Sequence, residues 1–411
     1  MTDRSFRSNP MLRTRDGVLF LSAQALDATA GGVAQVALPW LVLDATGSKA
    51  TAGLVFAIEL LPYVVFGLPA GLAGDRLDRR KLIWISHAVE AVFALLIPLW
   101  IVSSGTPPLW VIAISAFGIG TARAFGDAGA FGAVASIVGP EHFTGGQAIL
   151  SSAWAVGLFA GPALGGALIA VVGPGKTLVV QGAAFAAAAL CVIAVRSSFG
   201  ERARSEQGLL DGLVEGVRFL VTDPLLRWIT LLGAFGNIVA AGVPALIVPL
   251  LRTEIGLTSN EAGGVLAGGA ALGIVSAPIV HRLERRLPGP RLYVLSLFLL
   301  VPPPVALGVA VGVGGAAIAY GAEALFTWIE MAVFIGERQR RAPDDLQARV
   351  GISGRMLMTL SLAVGASTAS ALTTVFTLRE LYVGMGLATL VTACLAAVVI
   401  PRATRALAAA M

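Results

Sequence analysis

Charge is what this sequence has least of. Only 13% of its 411 residues are Asp, Glu, Lys or Arg, against roughly 25% in soluble domains. A soluble globule needs polar groups to cover its surface, so an exterior of lipid suits this chain better. Cysteine is scarce too. Cys191 and Cys394 lie far apart in apolar segments, which argues against a disulfide framework or a thiolate metal site and leaves two small hydrophobes. Of the three histidines, His87 sits near a helix start with no second ligand close to it in sequence. No nucleotide-binding loop, zinc signature or nucleophile elbow occurs, so an ATP-driven pump or a hydrolase has nothing to carry its chemistry. No enzymatic activity, cofactor or metal is expected.

What is present is apolar. The chain is 56% hydrophobic, with 49 glycines and 21 prolines, and its mean hydropathy is +0.84. Membrane helices tolerate glycine and proline better than soluble ones do. A bilayer core of roughly 30 Å needs about 20 apolar residues per helix. Stretches of that kind fall near 18–43, 50–72, 82–104, 109–138, 146–171, 175–196, 225–250, 260–280, 292–312, 314–336, 350–376 and 380–400. The first run is too long for a signal-peptide core and reads as a retained span. The ninth and tenth are divided only by a glycine-rich turn around Gly312 to Gly315, and Pro302 to Pro304 must fit within or beside the ninth.

The charges agree with twelve spans. With the N-terminus cytoplasmic, 24 of the 29 basic residues fall on the cytoplasmic side, in clusters such as Arg76 to Lys81 and Arg338 to Arg341. Only Lys49, Lys176, Arg252 and Arg379 fall opposite, and Arg123 lies inside a helix. That asymmetry is what the positive-inside rule asks for, and it puts both termini in the cytoplasm of a multi-pass membrane protein. The net charge of +5 is spread over these loops instead of forming one basic face, so nucleic acid is not an expected partner. The longest polar stretch, residues 197–224, separates six spans in 1–196 from six in 225–411. Within it Leu209, Leu210, Leu213, Val214, Val217 and Leu220 recur at helical spacing opposite Asp211, Glu215 and Arg218. This reads as an amphipathic linker helix on the inner membrane surface, with a plain solvated connector as the alternative.

The run from Gly67 to Lys81 carries Gly71, Asp75, Arg76, Arg79 and Arg80. It resembles the signature between helices two and three of the major facilitator superfamily of secondary transporters, with Asp78 where that pattern has a second glycine. Such an aspartate is familiar in the exporter branch that includes enterobactin and macrolide efflux proteins. The resemblance implies that these residues latch one conformation; as plain chemistry, the cluster of Arg79, Arg80 and Lys81 is also topogenic. In the fifth span, Gly157, Gly161, Pro162, Gly165 and Gly166 give one small face and a proline. This is similar to the superfamily's fifth-helix signature, prominent in antiporters. Such a face permits close helix packing, and the proline permits a bend. Asp344, Asp345 and Arg349 sit where the exporter branch has an acidic-then-basic loop. The resemblance implies an all-α fold of two pseudo-symmetric six-helix bundles around a central cavity, monomeric, working by rocking.

An ionisable group in hydrocarbon is expensive and marks a partner or pathway. The candidates for proton coupling or substrate contact are Asp27, Glu59, Arg123, Asp127, Asn237 and Glu323. Asp27, well inside the first span, is the leading choice for the proton, because desolvation can turn a carboxylate neutral. Glu59 follows, near Pro62, and Glu323 is the best of the second half. Arg123 and Asp127 are four apart, a spacing that permits pairing with each other. Glu90 and Glu330 read as near helix ends, solvated or paired. The resemblance points to export of a small amphipathic molecule against proton entry. Uptake of a metabolite in the same fold, or a non-transporting receptor or scaffold, are the alternatives.

Overall fold

In the computed structural model the described residues are 9–197, 199, 209–343 and 346–410. The side chains of Asp75, Asp211 and Leu213 lie outside that description, as do Asp344 and Asp345 entirely. Among the described residues, 12 helices are long and apolar enough to cross a membrane. They are Arg15–Thr46, Lys49–Gly74, Arg79–Ser104, Leu109–Val138, Phe143–Val172, Pro174–Ala194, Pro224–Glu254, Ser259–Glu284, Gly289–Val309, Gly312–Arg341, Arg349–Leu372 and Leu378–Arg405. Each matches a stretch expected from hydropathy. Their outward faces carry bare valine, leucine and isoleucine, such as Val102, Val171 and Ile318, which is the surface lipid favours.

The chain forms two compact units, Met1–Gly47 with Ile58–Glu206, and Ser48–Ala57 with Gln207–Met411. In the first, the opening span packs along the fifth and sixth, and the third packs on the fourth and sixth. The first and fifth meet backbone to backbone. A Cβ added to Gly161 would lie 2.6 Å from the Cα of Gly32, and one on Gly165 would lie 2.8 Å from the carbonyl oxygen of Val33. Only residues without side chains allow that approach. Pro162 sits within an unbroken helix, Phe143–Val172, with its ring toward Gly32.

The second unit holds the less regular spans. The seventh comes in three pieces, Pro224–Ala240, Gly242–Pro249 and a π-helical turn Leu250–Glu254. Pro244 and Pro249 remove backbone donors there. The hydroxyl of Tyr382 donates to the carbonyl of Val243 at 2.9 Å, beside the break. The ninth is split into Gly289–Leu299 and Pro302–Val309, so the three prolines start its second piece, where a missing N–H costs least. Arg379 then donates to the carbonyls of Gly308 and Ala310 at 3.1 Å each and of Glu254 at 3.3 Å, joining the ends of the seventh and ninth spans.

The linker segment contains a helix, Leu209–Thr222. Part of it packs on the protein. Leu220 is buried with Leu226, Ala342 and Val350, and Glu215 pairs with Arg349 of the eleventh span. Val214, Val217 and Val221 remain exposed along another face.

Candidate functional site: a buried charge network on the first four spans

Seven polar side chains converge inside the first unit: Asp27 from the first span, Glu59 and Tyr63 from the second, His87 and Glu90 from the third, Arg123 and Asp127 from the fourth. Arg123 Nη1 donates to Glu59 Oε1 at 2.8 Å, and its Nε lies 3.5 Å from Glu90 Oε1. The ring of Phe185 covers its guanidinium at 5.9 Å. Glycine at position 31 leaves room for it, since a Cβ there would stand 3.4 Å from Nη2. His87 Nδ1 is 2.9 Å from Glu90 Oε2 and 3.7 Å from Asp27 Oδ1. Tyr63 donates its hydroxyl to Asp127 Oδ2 at 2.8 Å.

The network has an inside and an outside. Glu90 and His87 are 1% and 4% exposed, whereas the side chains of Asp27, Glu59 and Arg123 keep 14%, 26% and 23%. Four carboxylates face one arginine and one histidine. Asp27 and Glu90 place oxygens within 4.8 Å of each other, where two negative charges repel by roughly 3 kcal/mol at an effective dielectric near 20. Asp27 Oδ1, His87 Nε2 and Glu90 Oε1 have no hydrogen-bond partner among the described residues. Their positions could also hold a metal ion, but the fixed charge of Arg123 beside Glu90 disfavours a multivalent cation there, and none is assigned.

This geometry revises three sequence expectations. Glu90 is not near a solvated helix end but is the most deeply buried of the acids in the network. His87 is not isolated but stands between two carboxylates. Arg123 reaches Glu59 and Glu90 on neighbouring helices, and Asp127, expected as its partner on the same helix, accepts the hydroxyl of Tyr63. The other candidates lie in the second unit. Glu323 is buried with Oε2 lacking a hydrogen-bond partner among the described residues. Asn237 Nδ2 lies 2.9 Å from Met358 Sδ, a contact between the seventh and eleventh spans.

The basic run after the second span is held by carbonyls. Arg79 is buried and donates to Gly74 O at 3.1 Å and Gly132 O at 3.3 Å. Arg80 donates to Val192 O at 3.3 Å and Ile193 O at 2.5 Å, the last turn of the sixth span, where a cation also meets the negative end of the helix. Asp78 caps the third span, accepting from the amides of Arg80 and Lys81. Arg76 is exposed and open space surrounds Gly71; the Asp75 side chain lies outside the described residues. In the second unit, Arg340 bridges Glu284 at 3.3 Å and Glu337 at 2.8 Å, an ionic tie between the eighth and tenth spans.

Residues 20–337 match the Major Facilitator Superfamily. The chain is 28% identical over 291 residues to the multidrug efflux pump Tap of Mycolicibacterium fortuitum, covering 67% of this chain and 70% of that protein. It is 27% identical over 310 residues to the multidrug efflux pump Tap of Mycobacterium tuberculosis strain H37Rv, covering 70% and 72%. Among solved structures it is similar to a bacterial homologue of the human lysosomal transporter Spinster, inward-facing and unoccupied, with a TM-score of 0.73, 16% identity and 95% and 97% of the two chains covered. The nucleoside transporter NupG gives a TM-score of 0.79 at 9% identity, covering 92% and 98%. These structural likenesses establish the fold.

Proposed function

The chain belongs to the Major Facilitator Superfamily and is a secondary transporter in a lipid bilayer; on that premise we propose that it is a proton-coupled exporter of small amphipathic molecules. The observation that carries this reading is the charge network of the first unit. An ionisable cluster inside a membrane bundle is retained for a pathway or a relay, and here its partly exposed members, Asp27, Glu59 and Arg123, back onto the buried pair His87 and Glu90. Asp27 is the group through which a proton enters and leaves. Binding of the proton and of the substrate then alternates as the transporter exposes its site to each side in turn.

Export, rather than uptake, is supported by the two multidrug efflux pumps that share 27–28% identity with the chain and by the resemblance of the 67–81 and 157–166 segments to exporter signatures. The excess of basic residues in alternate loops supports cytoplasmic termini. The chain acts as a monomer with an N-terminal bundle in 1–196, a linker in 197–224 and a C-terminal bundle in 225–411. Asn237 and Glu323 are the second-half groups offered to substrate.

Purified protein in liposomes with an imposed proton gradient and a panel of fluorescent amphiphiles tests the proposal. Substrate moving opposite to the protons, with the effect absent in Asp27→Asn, is the expected result. Movement in the same direction as the protons would make the protein an importer. Undiminished coupled movement in Asp27→Asn would remove Asp27 from the mechanism.

A further inference from the structure

Charge balance in the buried network goes one step beyond a single coupling carboxylate, and it rests on the proton-coupled reading above. The groups that face one another are Asp27 from the first span, Glu59 and Tyr63 from the second, His87 and Glu90 from the third, and Arg123 and Asp127 from the fourth; the sixth contributes the uncharged ring of Phe185. The single positive charge of Arg123 lies 2.8 Å from Glu59 and 3.5 Å from Glu90, and Asp127 accepts the hydroxyl of Tyr63. Four carboxylates thus share one guanidinium, and two of them, Asp27 and Glu90, have His87 between them at 3.7 and 2.9 Å. One oxygen of each acid, and the second ring nitrogen of the histidine, find no hydrogen-bond partner among the described residues. The carboxylate oxygens of Asp27 and Glu90 lie within 4.8 Å of each other, so two negative charges there repel, and a proton on the histidine between them offsets that repulsion.

We propose that Asp27, His87 and Glu90 form one coupling unit that exchanges two protons in each transport cycle, with His87, paired to Glu90, carrying the second proton and passing it out through Asp27. In the loaded state one proton makes His87 an imidazolium, its Nδ1–H donating to Glu90 Oε2, and the second sits on the carboxyl of Asp27. The charge of the three groups is then zero. Release runs outward through Asp27, the one member of the three with appreciable exposure. Its carboxyl proton leaves to water first; the imidazolium proton follows from Nδ1 to the emptied Asp27 Oδ1 and leaves from there to water in its turn. What remains is a neutral imidazole and two carboxylates, a charge of minus two that can be tolerated only while water or a substrate reaches the site.

The stoichiometry is measurable without knowing the natural substrate. Wild-type protein is placed in liposomes with the membrane potential clamped at zero by potassium and valinomycin. The steady-state gradient of a fluorescent amphiphile that moves in the panel above is then read against a pH difference of one unit. Each coupled proton contributes about a factor of ten, so two protons sustain about a hundredfold gradient and one sustains about tenfold. This ratio depends on stoichiometry and not on rate, so a slow variant reports it as well as a fast one. Wild type is expected near a hundredfold. His87→Gln is expected near tenfold, and Glu90→Gln, a second route should the first not purify as a monodisperse protein, likewise. A tenfold wild-type gradient, or a hundredfold gradient kept in either variant, would overturn the two-proton unit while leaving proton coupling intact. A wild-type gradient abolished by a chelator would overturn it in favour of a metal at the same three groups. A protein that equilibrates the amphiphile with no response to pH would instead remove the proton-coupled reading on which the inference rests.

Discussion

Replacing Arg123 with methionine keeps most of the side-chain volume and removes the only guanidinium in the first-unit network. Glu59 loses a partner at 2.8 Å and Glu90 one at 3.5 Å. At an effective dielectric near 20 the first contact alone is worth roughly 6 kcal/mol of bare attraction, most of which offsets the desolvation of the two ions. What the variant exposes is the uncompensated remainder. Breaking a buried pair from one side typically costs about 3–5 kcal/mol. Arg123 and Glu59 each keep about a quarter of their side-chain exposure, so the lower end, about 3 kcal/mol, is expected. Equilibrium unfolding by SDS in mixed micelles measures it. Adding Glu59→Gln to the variant removes one orphaned charge and should restore about 1–2 kcal/mol. A loss below about 1 kcal/mol, or no recovery in the double variant, would refute the claim that this arginine holds the acids in place.

Other consequences are equally direct. Gly161→Ala puts a methyl group 2.6 Å from the Cα of Gly32; with backbone on both sides the spans must separate, at a cost of about 1–3 kcal/mol, read as a lowered unfolding midpoint. Arg379→Ala leaves three carbonyls without their donor, and faster hydrogen exchange at the ends of the seventh and ninth spans is expected. Thr258 and Glu261 form a capping box at the start of the eighth span, so Thr258→Ala should lower stability by about 1 kcal/mol without changing which compounds move. Tyr63→Phe removes the hydroxyl on Asp127 and should alter the pH profile of transport; an unchanged profile would place Asp127 outside the coupled network.

The span count was legible because each helix must satisfy its own backbone in hydrocarbon, and that requirement writes a run of apolar residues into the sequence. The three prolines at 302–304 marked a break whose form, two short helices in register, follows from packing against the twelfth span. The site was legible only in part. Asp27, Glu59 and Arg123 stood out as charges in apolar runs. His87 reads in sequence as lacking a second ligand and Glu90 as near a helix end, although their spacing of three on one helix face is the signal of a pair. Arg123 and Asp127 share a spacing that suits pairing, yet the longer reach of arginine takes it to Glu59, 64 residues away in sequence. That choice depends on the close approach of the second and fourth spans at Gly120, where a Cβ would collide with the backbone of Glu59. Likewise Asp78, read as a departure from a family pattern, is the cap of the third span, a role any helix start would give it.

The central claim is that substrate and protons cross in opposite directions, and a substrate gradient applied alone tests it most directly. Liposomes loaded with a pH-sensitive dye, at equal pH on both sides and zero potential, receive a transported amphiphile from outside. The account predicts that the lumen becomes more alkaline as the compound enters, and that Asp27→Asn abolishes the change. Entry of the compound with no movement of protons, or with acidification of the lumen, would contradict it.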